Sequence, residues 1–260
     1  MDLSLKGKNA LVCGSTQGIG KATAIELAAL GATVVLLARD ENKLKTTLSE
    51  LPSSNQSHSF VVADFNFPDQ VKSAINKLIS EKDIHILINN TGGPPAGQTI
   101  DAKSEDFLSA INAHLICSQI LVQACVPAMK KNKYGRIINI ISTSVKIPIK
   151  GLGVSNTVRG AMASWSKTLS LELAPFGITV NNILPGSTKT GRIESVIQAR
   201  SKKSGKTEDQ IRQEMIDEIP VGRMAEASEV AAAVAFLASP AASYINGVSL
   251  PVDGGRTGSI

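Results

Sequence analysis

Aromatic residues are scarce: one Trp, two Tyr and six Phe make up 3% of the 260 residues. A nucleic-acid surface needs stacking platforms and basic clusters, and with a net charge of only +5 and no recognition motif this scarcity argues against nucleic acid as a partner. Cysteine is scarce too. Cys13, Cys117 and Cys125 fall in segments of strand or helix character, with no CxxC pair and no cluster of the three histidines beside them. The expectation is buried, reduced thiols, no disulfide framework and no metal site. No apolar run approaches 18 residues, and the first residues, MDLSLKGKN, lack the apolar stretch of a secretory signal. A soluble, cytoplasmic protein without a membrane partner is expected.

What the chain has instead is a regular alternation. Apolar runs at Ala10–Val12, Thr33–Leu37, Ser59–Val62, His85–Ile88, Arg136–Ile141, Ile178–Leu184 and Val248–Val252 are separated by segments with helical periodicity. That order predicts an α/β fold, a single doubly wound Rossmann-type domain over residues 1–260, with about seven parallel strands and helices on both faces. Two helices stand out. One runs from Ser104 to about Met129 with Phe107, Ile111, Leu115, Val122, Cys125 and Met129 in a stripe. The other runs from about Gly153 to Leu173 with Val158, Met162, Trp165, Leu169 and Leu173.

The chain is organised around NALVCGSTQGIGKATA, Asn9–Ala24. An apolar strand ends at Gly14, three small or polar residues follow, and Gly18-Ile19-Gly20 opens an apolar-periodic helix. Glycines let the backbone approach a pyrophosphate, and the unpaired N–H groups at the helix start face the anion. After the second strand comes Arg39-Asp40. An acid there would hold ribose hydroxyls, whereas an Arg favours the additional 2′-phosphate. Asp40 is better explained as the N-cap of the next helix, so Arg39 favours NADP(H) over NAD(H).

The spacing Gly14-x-x-x-Gly18-x-Gly20 resembles the T-G-x-x-x-G-x-G turn of the short-chain dehydrogenase/reductase family, with Cys13 in place of Thr. The resemblance extends over essentially the whole chain. Asp64 matches the family's Asp beside the adenine, Asn89-Asn90-Thr91-Gly92 its N-N-A-G turn, and Pro185-Gly186-Ser187-Thr188-Lys189-Thr190 its P-G-x-x-x-T. Ile219–Arg223, Tyr244–Gly247 and Val252–Gly255 match its C-terminal third, in the manner of 3-oxoacyl-acyl-carrier-protein reductases. The resemblance implies coenzyme contacts from Gly14, Ser15, Thr16, Gln17, Gly18, Ile19, Gly20, Arg39, Asp64, Asn90, Gly92, Arg159, Pro185, Gly186, Thr188 and Thr190. It also implies a homo-oligomer, a tetramer built on the two long helices.

Family members move a hydride between nicotinamide and a carbonyl or alcohol carbon with an Asn, a Ser and a Y-x-x-x-K pair. Here the Asn is matched to Asn112 in INAHL and the Ser to Ser142, but the pair falls on Ser155 and Arg159. An unactivated hydroxyl is a poor proton donor, and guanidinium keeps its proton with a pKa above about 12. His58 and His85 lie at strand starts, the wrong sheet edge. His114, two positions from Asn112, should point to a different helix face. Tyr134 precedes the fifth strand, and Tyr244 lies in the C-terminal tail. Lys146 and Lys150, in the loop after Ser142, are at the correct edge and could supply a proton.

A substrate loop is expected over Gly191–Gly222, carrying Arg192, Arg200, Lys202, Lys203 and Lys206. It serves either as a solvated, mobile lid or as a receiving surface for an acidic acyl carrier protein or coenzyme A phosphates. Two functions are therefore expected in competition. One is an NADP(H)-dependent oxidoreductase acting on a small-molecule or thioester-linked carbonyl with an altered proton relay. The other is a cofactor-binding homologue of little or no activity, acting as a sensor or partner subunit.

Overall fold

Strands that are apolar at every position are stable only where both faces of their sheet are covered. The computed structural model, which describes residues 1–259, has that arrangement. Strands β1 (Asn9–Cys13), β2 (Thr33–Ala38), β3 (Ser59–Val62), β4 (Ile86–Asn89), β5 (Gly135–Ile140), β6 (Ile178–Pro185) and β7 (Ser249–Val252) form one parallel sheet in the order β3-β2-β1-β4-β5-β6-β7. The helices are α1 (Gly18–Ala29), α2 (Glu41–Glu50), α3 (Pro68–Glu81), α4 (Ser104–Ile111), α5 (Cys117–Lys131), α6 (Gly153–Leu173), α7 (Gly191–Ser204), α8 (Glu208–Asp217) and α9 (Ala227–Ala238).

Because successive strand side chains alternate, each apolar run feeds two cores. Ala10, Val12, Val34, Leu36, Ile86 and Ile88 pack with Leu27 of α1 and Val230 and Val234 of α9. Leu11, Cys13, Val35, Leu37 and Leu87 pack on the other face with Val71 and Ile75 of α3 and Leu121 and Cys125 of α5. Each such aliphatic side chain contributes about 1.5–3 kcal/mol by leaving water. All three thiols are buried and free, and burial pushes those of Cys117 and Cys125 up to about 11 and about 12. Ser104–Lys131 is long and apolar enough, by length and composition, to cross a membrane. Within this fold its Leu121, Val122, Cys125 and Met129 are buried in the sheet-facing core.

The sheet also contains a polar seam. Asn89, Asn139 and Asn182 stand in register on β4, β5 and β6, with Ser249 of β7 beside them. Asn89 Nδ2 donates to Asn139 Oδ1 at 2.8 Å, Asn139 Nδ2 to Asn182 Oδ1 at 3.0 Å and to Ser166 Oγ at 3.1 Å, and Asn182 Nδ2 to Ser249 Oγ at 3.0 Å. A one-residue slip of β4 or β5 would turn its Asn to the opposite face and unmake the seam.

The segment expected as a loop over 191–222 is instead mostly helical. α7 and α8 enclose a small core of their own, Ile197, Ile211, Met215, Ile219 and Met224, and are clamped by Arg212 and Glu194 at 2.7 Å. The apolar spacing in IRQEMIDEI carries that core, and the Thr207–Gln210 capping box starts α8.

Replacing Asn139 by Leu strands the polar atoms of Asn89, Asn182 and Ser166 in the core. Urea denaturation is expected to show a loss of roughly 2–5 kcal/mol, since each buried polar group left unpaired costs about 1–3 kcal/mol. A loss below about 1 kcal/mol would mean that the seam is not holding the strands in register.

Candidate active site

The strand order reverses between β1 and β4, and ligands of open parallel sheets lie beyond the carboxyl ends of the strands at such a reversal. Here Asn90, just after β4, reaches across to the turn after β1, its Nδ2 donating to Cys13 O at 3.2 Å and Gly14 O at 3.3 Å. The turn needs its glycines. Gly14 and Gly18 have φ of 58° and 54°, and a Cβ on Gly20 would meet Gly14 O at 2.2 Å. The N-cap of α1, Gln17, makes no side-chain capping bond and the first turn holds no acid, so its amides are left for a ligand. At α2 the situation is the opposite. Asp40 Oδ1 accepts from Lys43 N at 3.1 Å as the expected N-cap, which leaves exposed Arg39 to face the cleft.

A cavity of about 760 Å³ runs from this turn to the ends of β5 and β6. Gly14, Thr16, Gln17, Gly18, Ile19, Arg39, Asp64, Asn90, Gly92, Pro185, Gly186, Thr188 and Thr190 line it, together with Ser142, Ser155 and Arg159. Two expected contacts do not. Ser15 is fully buried with its hydroxyl donating to Leu37 O at 3.4 Å, and Gly20 packs beneath Gly14. The Gly92–Gly97 loop is a shaping element. Gly97 N donates to Gly151 O and Gly153 N to Gly97 O, which seats the start of α6 against the cleft.

Asn112 is corrected outright. It is exposed and off the cavity wall, whereas His114 is buried and on it. The two do point to different faces, but the inward one is His114. A π-helical turn, Asn112–Ile116, closed by Cys117 N donating to Asn112 O, interrupts the long helix expected from Ser104. One wide turn shifts every later side chain around the axis relative to a 3.6-residue count. The proton donors considered in the loop are also excluded: Lys146 and Lys150 are exposed and off the wall. Neither tyrosine approaches it, since Tyr134 donates to Ala238 O at 2.9 Å and Tyr244 is fully exposed.

The reacting end therefore presents His114, Ser142, Ser155 and Arg159. Ser142 Oγ caps the turn that follows β5 by accepting from Ser144 N at 3.1 Å, so its own proton is free to donate. Ser155, 7% exposed, makes no hydrogen bond through its hydroxyl among the described residues. Arg159 is 8% exposed. Its Nη1 donates to Ile140 O at 2.8 Å, its Nε has no partner, and burial with the nearby Arg192 lowers its pKa to about 10, still well above neutrality. Burial, the charge of Arg159 and, to a smaller extent, that of Arg192 push His114 down to about 2, against a weaker opposing influence of the Gly92 backbone. At neutral pH His114 is therefore an uncharged imidazole.

An uncapped helix N-terminus, a sheet reversal and a cationic, hydroxyl-lined far end define a dinucleotide-binding α/β protein. The family model described as enoyl-(acyl carrier protein) reductase matches residues 14–257. The chain belongs to the short-chain dehydrogenase/reductase family. It is 34% identical over 254 residues to the 3-oxoacyl-[acyl-carrier-protein] reductase FabG of Escherichia coli, covering 97% of this chain and 98% of that one. The NADPH-dependent reductase BacG of Bacillus subtilis is 30% identical, with 97% and 99% covered. L-sorbose reductase from Gluconobacter frateurii, solved with NADPH and L-sorbose, superposes with a TM-score of 0.92 at 29% identity over the whole of both chains.

An unfolded chain protonates His114 below about 6.5, whereas the folded one does so only near 2. The folded pKa is lowered, so His114 weakens the fold progressively as pH falls through about 6.5. His114→Gln is expected to flatten the decline of Tm between pH 7 and 5 relative to the parent, His85 contributing equally to both proteins. Parallel Tm profiles would show that the folded imidazole is charged.

Proposed function

We propose that the protein is an NADP(H)-dependent oxidoreductase that interconverts a carbonyl and an alcohol without a phenolic proton relay. The observation that carries this reading is that the uncapped start of α1 and the group His114, Ser142, Ser155 and Arg159 open into one cavity. The donor chemistry fits the coenzyme. The amides of the Gly14–Ile19 turn suit a pyrophosphate, and Arg39, exposed and in no ion pair among the described residues, suits a 2′-phosphate. Relatives described as NADPH-dependent and a structural neighbour solved with NADPH support the same choice.

When bound, the coenzyme supplies or accepts the hydride. The chain's own part is to hold the carbonyl and manage charge. The Ser142 hydroxyl, oriented by the Ser144 amide, donates to the carbonyl oxygen, and Ser155 offers a second hydroxyl from the start of α6. Arg159 is positive at neutral pH and stabilises the oxyanion that develops there, in a setting shielded from bulk water. None of these groups is an acid near neutrality, so the proton comes from water at the open mouth. General acid catalysis typically supplies about 10²–10⁴-fold, so a reaction run by positioning and electrostatics is slow but allowed.

The second reading, a coenzyme-binding protein without turnover, is favoured by Arg159 being anchored to Ile140 O where the family pair has a lysine. In either case the exposed Leu108 and Ile116 beside Asn112 support association with a second copy through α4 and α5.

Fluorescence titration with NADPH, followed by its oxidation across a panel of ketones, tests the proposal. Binding and slow turnover are expected, with Arg39→Ala weakening NADPH relative to NADH by about 10–100-fold, as for the loss of charge-assisted hydrogen bonds. No NADPH binding overturns the proposal, and binding without turnover selects the second reading. The double change Ser155→Tyr with Arg159→Lys is expected to raise kcat by up to about 10²–10⁴-fold. No gain would mean that more of the pocket than the pair sets the rate.

A further inference from the structure

The half of the cavity beyond the glycine turn carries more positive than negative charge. Arg159, Arg192, Arg200 and Arg256 line it. The only carboxylates on the wall among the described residues, Asp64 and Asp106, are engaged elsewhere. Asp64 accepts from Asn66 N at 2.9 Å after β3, and Asp106 from Lys103 N at 3.0 Å at the start of α4. Acids on the neighbouring helices are also taken. Glu194 is held by both terminal nitrogens of Arg212, and Glu218 accepts from Arg256 Nε at 3.1 Å. Arg192 and Arg200 enter no ion pair among the described residues.

Arg192 is fixed in place. Its Nη2 donates to Pro94 O at 2.8 Å and lies against Gly93, where a Cβ would come within 3.3 Å of it. Its other N–H groups remain uncommitted, and its charge is felt by both Arg159 and His114. Two guanidinium groups thus repel each other in a partly desolvated cleft whose wall also carries the His114 imidazole. In the reading proposed above, the coenzyme phosphates are met at the start of α1 and by Arg39, so this second concentration of charge answers to the other ligand.

Resting on that reading, we infer that the substrate is a small oxo acid. Its carboxylate is held by Arg192, with Arg200 at the rim, and its carbonyl oxygen lies at Ser142 and Ser155 beside Arg159. The keto carbon gains a hydride from the coenzyme and the oxyanion gains a proton from water, giving a hydroxy acid and the oxidised coenzyme. An uncharged acyl thioester would leave both guanidinium groups unanswered.

The test uses the full chain saturated with NADPH, and 4-oxopentanoate and 2-oxobutanoate against their methyl esters and an uncharged acetoacetyl thioester. The acids are expected to show kcat/KM at least about tenfold above their esters, and Arg192→Gln to cut that acid-to-ester ratio about 10–100-fold, with partial rescue in Arg192→Lys. Calorimetric binding of the acids to the loaded protein, lost in Arg192→Gln, gives a readout where turnover is slow. Equal handling of acid and ester, preference for the thioester, or no binding of either acid overturns the inference while leaving NADPH binding, and so the reductase reading, intact. Weakening of NADPH itself in Arg192→Gln, in parallel for acid and ester, also overturns it by assigning the guanidinium to the coenzyme. If NADPH fails to bind the unchanged protein, the reductase reading falls, and calorimetric titration of the acids without coenzyme decides the acid site by itself: acid binding lost in Arg192→Gln upholds it, and no binding ends it.

Discussion

The register of four neighbouring strands is held by a run of amide side chains buried between them. Asn89, Asn139 and Asn182 pair with one another by standing level, Ser249 closes the β7 end, and Ser166 accepts a second bond from the central Asn139. In an apolar interior that requirement is stringent, because any slip would leave several amide groups dry and unpaired. Its consequence lies just past the seam. The residues that leave β4, β5 and β6, namely Asn90, Ser142 and the Pro185–Thr190 turn, emerge at one edge and meet the Gly14 turn there.

From that edge outward the site is governed by charge. The family's usual set includes a phenol whose proton is made available by a lysine. Here the same wall carries two hydroxyls, an imidazole that stays neutral and a guanidinium that stays charged. These groups bind and stabilise negative charge well and give up protons poorly. In the proposed reading such a set would work by electrostatic stabilisation of an oxyanion rather than by acid catalysis, and the guanidinium groups of Arg192 and Arg200 on α7 add positive charge to the same wall.

A single wide helical turn has a large effect on this chemistry. Residues two apart on a helix face nearly opposite ways, so only one of Asn112 and His114 can meet the cleft. It is His114, within the π turn Asn112–Ile116, that lines the cleft with Arg159, while Asn112 lies outside with exposed Leu108 and Ile116. The same turn therefore shapes both the inner wall of the site and the outer face of the helix pair.

The chain by itself determined the α/β alternation, the parallel sheet, the glycine turn and the role of Asp40 as a helix cap. All of these are local: period, spacing and residue type act within a few residues of one another. Only the tertiary structure decided that Ser15 turns inward, that the 191–222 segment is a helix pair, that Lys146 and Lys150 stay in water, and that Arg192 and His114 share a wall with Arg159. Those outcomes depend on a helix departing from its regular count and on groups far apart in the chain converging at one sheet edge. Neither leaves a trace in local spacing, because a charge has no sign of its neighbours until folding removes the water between them.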